Sequence, residues 1–368
     1  MSSGSSSGCT IHSIAPQNLH TRASRLTNCV QDYPENFPVS IQVLPPVGAQ
    51  LRRDEKAGGY VVEHIYQHDP DLPDAAPPLA RPESLVKEGE VIVSIDGQSL
   101  LGVQDERALL RGKAGQQVLL RVKPASGEPR DVLVKPIQAK DDGKLRYGEW
   151  EYTRRQRVEQ ESGGKIGYVN LRAMTKEDID NWAREYYPVF DRQGLIIDVR
   201  HNGGGNIDSW LLSKLLRQAW FYWQPRIGNP VWNMQYAFRG HVVVLCDQAT
   251  ASDGEAFAAG FEHFRMGKVI GIRTWGGEIW LSFDNRQADN GIATAAELGV
   301  YGPDGKWLIE GRGVDPDMVV DNLPHATFSG NDAQLEAAID LLKQEIQLDP
   351  RPVPKAPPYP DKSFKYVQ

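Results

Sequence analysis

From Lys165 onward the chain alternates short apolar runs with stretches of helical periodicity, and this rhythm restricts the fold more than any other feature. KIGYVNL (Lys165 to Leu171), GLIIDVR (Gly194 to Arg200), HVVVL (His241 to Leu245) and KVIGI (Lys268 to Ile272) have strand length. Continuous Val/Ile/Leu runs of this kind suit strands covered on both faces. Between them lie amphipathic segments. TKEDIDNWAREYYPVF offers Thr175 as a cap and puts Ile179, Trp182, Ala183, Tyr186 and Phe190 on one face. Residues 207–220 read as a helix, and after Ser252 the residues Ala256, Phe257, Gly260, Phe261 and Phe264 recur at helical spacing. NDAQLEAAIDLLKQEI turns Leu335, Ile339, Leu342 and Ile346 to one side. Strand–helix alternation at short spacing predicts an α/β layer with a largely parallel sheet.

Residues 40–138 have a different rhythm. YVVEHI, EVIVSI, QVLLRV and the run from Asp131 to Val134 are strand-like and divided by glycine and proline turns. Asp96-Gly97 reads as a tight hairpin turn. QHDPDLPDAAPPLARPE carries too much proline for a sheet and is expected as a loop, and a short helix fits Asp105 to Arg111. The chain of 368 residues divides as follows: 1–39, a tag-like MSSGSSSG stretch and an N-terminal segment; 40–138, a β-rich domain; 139–346, the α/β domain; and 347–368, an extended proline-rich tail.

Composition excludes several function classes. The net charge of −7 comes from interspersed acids and bases, which argues against a nucleic-acid partner. Cys9, Cys29 and Cys246 are odd in number and widely spaced, so neither a disulfide framework nor a zinc site is expected. No apolar run has membrane-spanning length. The histidines show no HxxxH or HExxH spacing, so no metal and no cofactor is expected.

In open α/β sheets ligands sit beyond the carboxyl ends of the strands. Two stretches there are unusual. DVRHNGGGN places three glycines in succession, which lets backbone N–H groups approach a ligand. LCDQATASDGEAFAAGF sets Ser252 at the joint of a strand and a helix. Locally Ser252 reads either as a helix N-cap or as an exposed nucleophile beside the Asp253 N–H. Gly254 follows as in GxSxG, but Thr250 stands where the first glycine would be, which speaks against an α/β-hydrolase. Asp315 and Asp317 fit ordinary turn chemistry, and Asp198 fits pairing with Arg200. Trp275, Trp280 and Trp307 are expected in the core or in pocket walls.

LVKEGEVIVSIDGQSL and PPVGAQLRR resemble the hairpin and the carboxylate-binding loop of a PDZ domain. This resemblance implies peptide capture by strand addition at Gly48, Ala49, Gln50 and Leu51. DVRHNGGGN, TASDGEAFAAGF, GIRTWGGE and EGRGVDPD occur in the order found in family S41 serine peptidases. Where the carboxyl-terminal processing branch has a catalytic lysine in T-x-G-K, this chain has TWGGE, and it is similar instead to the tricorn branch. The implied fold is a PDZ-like β-rich domain followed by an α/β (ClpP/crotonase-like) S41 catalytic domain. The implied roles are Ser252 as nucleophile, Glu310 as distal acid, and Gly203 or Gly204 with Asp253 as oxyanion donors. The tricorn pattern has a Ser-His pair before the PDZ domain; here NLHTRAS offers His20, with Leu19 in the serine's place and Thr21 as a substitute. His12 and His201 are the other candidate bases. The implied activity is that of a serine endopeptidase or carboxy-terminal processing protease. Two alternatives stand beside it: an ester or lactone hydrolase using Ser252, and a non-catalytic PDZ module. The implied partners are peptide or unfolded protein, with assembly as a homo-oligomer, in a bacterial or archaeal cytoplasm or periplasm.

Overall fold

A computed structural model describes residues 46–103, 106–281, 287–289, 291 and 296–363. These residues belong to one compact unit, Leu44–Gln368. Its first part is an antiparallel sheet of β1 (Ala49–Asp54), β2 (Gly59–Ile65), β3 (Val91–Ile95), β4 (Gln98–Ser99), β5 (Val118–Lys123) and β6 (Arg130–Val134). The order is β1-β2-β3-β5-β6, with β4 paired to β3. Alternate residues point into one core, as the strand period of two requires: Val118, Leu120 and Val122 on β5, and Val132 and Val134 on β6. Asp96 and Gly97 take φ of 47° and 78°, the left-handed pair of a tight hairpin turn between β3 and β4. The proline-rich stretch is a loop with short 3-10 turns at Pro73–Ala75 and Pro78–Ala80. The helix expected near Asp105 is a 3-10 segment, Glu106–Leu110, rather than an α-helix, and residues 104 and 105 lie outside the described set. Short connectors of a few residues commonly take this tighter form.

A 24-residue helix, α1 (Ala139–Ser162), follows; its periodicity is hidden because half of its residues are charged. Gly163 ends it in the left-handed conformation at φ 58°. The second sheet is parallel throughout, in the order β15-β12-β11-β8-β7 among the described residues. Its strands are β7 (Ile166–Asn170), β8 (Gly194–Asp198), β11 (His241–Cys246), β12 (Gly267–Gly271) and β15 (Met318–Val319). Both faces are covered. Leu195, Ile197, Val242 and Val244 pack with α2 (Lys176–Tyr186), α3 (Asp208–Leu215) and α4 (Asp253–His263). Ile196, Val243 and Leu245 pack with α1 and with α6 (Ala333–Leu348), which follows the short α5 (Pro324–Phe328). Thr175 and Asp178 form a capping box at the start of α2, as the sequence position suggested. Helix α3 stops at Leu215, short of Trp220. Beyond it the chain turns into a two-stranded hairpin of β9 (Tyr222–Trp223) and β10 (Val231–Trp232). The tail is extended and held along this hairpin: Arg239 donates to the Pro352 carbonyl at 2.7 Å and the Tyr359 hydroxyl to the Gln224 carbonyl at 2.7 Å.

Candidate active site

Strands β8 and β11 are parallel neighbours, so the loops leaving their carboxyl ends meet. The loop after β11 delivers Ser252, half-buried, with φ 54° and ψ −127°. A non-glycine residue at positive φ costs on the order of 1–3 kcal/mol. The gain is geometric, because a sharp strand-to-helix turn thrusts the side chain out of the backbone path. Ser252 also caps α4, so the two local readings of this serine are compatible. It forms a capping box with Glu255, and its own N–H donates to Glu255 Oε2 at 3.0 Å.

The glycine loop after β8 lies against this serine. A Cβ on Gly204 would fall 2.5 Å from Ser252 Cβ and 3.1 Å from its Oγ, at a φ of +88°. Only glycine satisfies both the conformation and the contact. The loop is pinned by Asn202, which is fully buried. Its Oδ1 accepts the Gly204 N–H at 2.8 Å, its Nδ2 donates to the Leu171 carbonyl at 2.7 Å, and its carbonyl accepts the Ala251 N–H at 2.8 Å. The Gly204 N–H is thus committed to Asn202. The N–H groups of Gly203 and Asp253 have no acceptor among the described residues. The Asp253 carboxylate faces the other way and accepts from the N–H groups of Ile207 and Asp208 at 2.6 and 3.0 Å. Burial, with Asp208 adding its negative charge, raises Asp253 to about 6.

Asp247, five residues before Ser252, ties the two loops together. Its Oδ1 accepts from the N–H groups of His201, Ala249 and Thr250 at 2.9, 3.0 and 3.0 Å. His201 Nδ1 lies 2.8 Å from Asp247 Oδ2, and this hydrogen bond raises the imidazole above its ordinary range against the opposing effect of burial. Its ring packs tilted against Trp150, with 5.8 Å between centroids. His201 is therefore engaged with Asp247 through one ring nitrogen. His12 and His20 lie outside the described residues. Asp198 pairs with Arg200, as its position suggested, and Asp315 and Asp317 pair with Arg273 and Lys268.

Glu310 Oε2 accepts the backbone N–H of Glu278 at 2.9 Å. Glu278 is 4% exposed, and its Oε2 has no hydrogen-bond partner among the described residues. Burial, with Asp253, Glu255, Asp208 and Glu310 nearby, raises Glu278 to about 8. The three tryptophans do not join the core: Trp275, Trp280 and Trp307 are 62%, 38% and 76% exposed, with Trp280 on the hairpin of β13 (Ile279–Leu281) and β14 (Ala296–Gly299). Sequence reading passes over Asn202 and Glu255, although an S-x-x-E spacing and an Asn before a glycine run are both legible signals.

In the β-rich part, Ala49, Gln50 and Leu51 pair with Ile65, His64 and Val62, and β1 is an edge strand among the described residues. Gly48 is buried: a Cβ there would fall 2.5 Å from Pro77 Cβ, 2.8 Å from Pro78 Cδ and 3.2 Å from Leu145 Cδ1. The proline loop and α1 thus roof the turn in which a carboxylate would be held. Among the described residues no cluster of His, Cys, Asp and Glu is placed to hold a metal ion, and no helix is long and apolar enough to cross a membrane.

Comparison with known proteins agrees with this arrangement. Residues 165–320 match the model of peptidase family S41, and residues 46–139 match the tricorn protease PDZ domain. Tricorn protease homolog 1 of Streptomyces coelicolor is 34% identical over 313 residues, which cover 85% of this chain and 29% of that protein. The tricorn protease of Thermoplasma acidophilum is 31% identical over 269 residues, covering 73% of this chain and 25% of that one. The crystal structure of the tricorn protease superposes with a TM-score of 0.76 at 30% identity, covering 83% of this chain and 29% of that one. The chain therefore spans between a quarter and a third of the length of these relatives. It belongs to peptidase family S41, in the tricorn-like group that carries a PDZ domain ahead of the α/β catalytic fold.

Proposed function

We propose that the chain hydrolyses peptide bonds through an acyl-enzyme on Ser252. The observation that carries this reading is the pairing of a strained Ser252 with a Gly204 that only glycine can occupy. Ser252 Oγ attacks the scissile carbonyl carbon as its proton passes to a base. The negative charge that develops on the carbonyl oxygen is taken by backbone N–H donors, a preorganised arrangement that needs no reorientation during the step. Asp253 supplies one. Gly203 is the better choice for the second, because the Gly204 N–H is held by Asn202. The base then returns its proton to the leaving amine, and water releases the acyl group by the same steps in reverse. His20 is the base in this reading, and Glu310 is the acid that orients the base's partner.

Substituting the base tests this assignment. His20→Ala should remove most of the rate, together with the rise in activity through a pKa of about 6 to 7. His12→Ala should leave both in place. A His20→Ala enzyme with the parent rate and pH profile sinks the assignment.

Gly204→Ala tests the close approach. The added methyl pushes Ser252 or the glycine loop aside, and a displacement near 1 Å costs about 10²-fold in rate. Steady-state kinetics on a chromogenic peptide should show the loss in kcat, with KM changed far less.

A further inference from the structure

Glu255 is fully buried, has no cationic partner among the described residues, and uses all the accepting capacity of its carboxylate. Oε1 accepts the Thr274 hydroxyl at 2.5 Å and the Gly276 N–H at 2.7 Å. Oε2 accepts the Gly277 N–H at 2.9 Å and the Ser252 N–H at 3.0 Å. A carboxylate has about four lone-pair sites, and here four donors fill them. Three of the donors belong to the TWGG loop after β12, and the fourth is the backbone of the candidate nucleophile itself.

That loop is in turn joined to the stretch that carries Glu310. The Gly276 carbonyl accepts the Gly311 N–H at 2.8 Å, and Thr274 Oγ1 accepts the Val314 N–H at 2.7 Å. Glu278, two residues further on, gives its N–H to Glu310. From Ser252 to Glu310 there is thus a path of hydrogen bonds joined through the Gly277-Glu278 peptide link, and among the described residues Glu255 is the side chain in it that touches both the serine's backbone and the loop.

We infer that Glu255 is a positioning residue for catalysis: its carboxylate fixes the Ser252 backbone against the TWGG loop and so sets the nucleophile's place relative to Glu310. This inference rests on Ser252 being the nucleophile. A helix cap alone would need only the Ser252 N–H contact, yet this side chain takes three further donors from a distant loop. Glutamine does not replace it, because either orientation of its amide turns an NH₂ group toward at least one backbone N–H donor.

Glu255→Gln is the direct test. Its kcat on a peptide substrate should fall by about 10²-fold, with KM within about threefold, and its rate of fluorophosphonate labelling should fall in parallel. Thr274→Val removes one donor from the cluster and should cost about tenfold in kcat; Thr274→Ser, which keeps the hydroxyl, should recover most of that loss. A folded Glu255→Gln enzyme with parental kcat and labelling rate overturns the inference. If Glu255→Gln does not fold, the Thr274 pair decides: equal kcat for Val and Ser overturns it, and recovery by Ser supports it. Failure of the underlying reading is distinguishable, since it would show as an unmodified Ser252 in the parent enzyme.

Discussion

Ser252→Ala is expected to abolish peptide hydrolysis, with kcat lowered roughly 10⁴-fold or more, the scale seen when a nucleophile that works as part of a unit is removed. The fold should survive. The hydroxyl is one atom, and the backbone contacts around it do not need it: the Ser252 N–H to Glu255, and the Ser252 carbonyl to the N–H groups of Glu255 and Ala256 at 2.7 and 3.1 Å. Losing the cap hydroxyl should cost about 1 kcal/mol, while the strain of the positive φ is already carried by the parent serine. Kinetics of the purified variant, alongside its thermal melt, check both halves. Substantial turnover by a folded Ser252→Ala protein would remove the serine from the mechanism.

Arg200→Met is expected to destabilise the protein by about 3–5 kcal/mol near neutral pH, the cost of breaking a buried ion pair from one side. Arg200 is 2% exposed and holds two carboxylates at once. Its Nη2 lies 2.6 Å from Asp198 Oδ2 and its Nη1 2.7 Å from Asp332 Oδ1. Methionine would leave Asp198 with the Tyr168 hydroxyl and the backbone N–H of residue 200, and Asp332 with Arg154, Asn322 and the Leu335 N–H, so neither carboxylate keeps its Arg200 charge partner. Burial alone would raise Asp332, but the Arg200 charge overrides it and holds the carboxyl well below the ordinary carboxylate range. A depressed carboxylate contributes stability above its unfolded pKa of about 3.9, and that stability is lost only as pH falls through the lower folded value. In the variant the stranded carboxylates protonate more readily, so the gap between the two proteins should narrow in acid. Urea unfolding at pH 7 and near pH 4.5 measures this, and a gap that stays constant would mean the ion pair is not the cause. Activity should fall as well, because Arg200 leads directly into the His201-Asn202 turn that holds Gly204.

Much of this was legible in the chain. The parallel sheet follows from HVVVL and GLIIDVR, whose alternate residues serve opposite helical layers, and the Thr175 cap and the Asp96-Gly97 turn follow from local chemistry that needs no tertiary partner. Ser252 stood out because a strand pattern and a helix pattern abut there. Most of what escaped depends on partners remote in sequence. The helix α1 is charged along most of its length, and what orders it is contact: Val158 in the core, and Trp150 beneath the guanidinium groups of Arg154 and Arg200 at 4.2 and 5.1 Å. The commitment of the Gly204 N–H to Asn202 reverses the apparent equivalence of the glycines, and nothing in GGG distinguishes them beforehand. The roof over Gly48 comes from Pro77, Pro78 and Leu145, all at least 29 residues away in the chain. Aromatic composition does not place Trp275 and Trp307 in the core, since large apolar residues also stand on the surface.

The most direct test of the account is to treat the protein with a fluorophosphonate, digest it, and locate the adduct by mass spectrometry. The account predicts a single modified residue, Ser252, and loss of peptide hydrolysis in proportion to its modification. An adduct on a different residue that accompanies inactivation, or full activity in protein whose Ser252 is stoichiometrically modified, would contradict it.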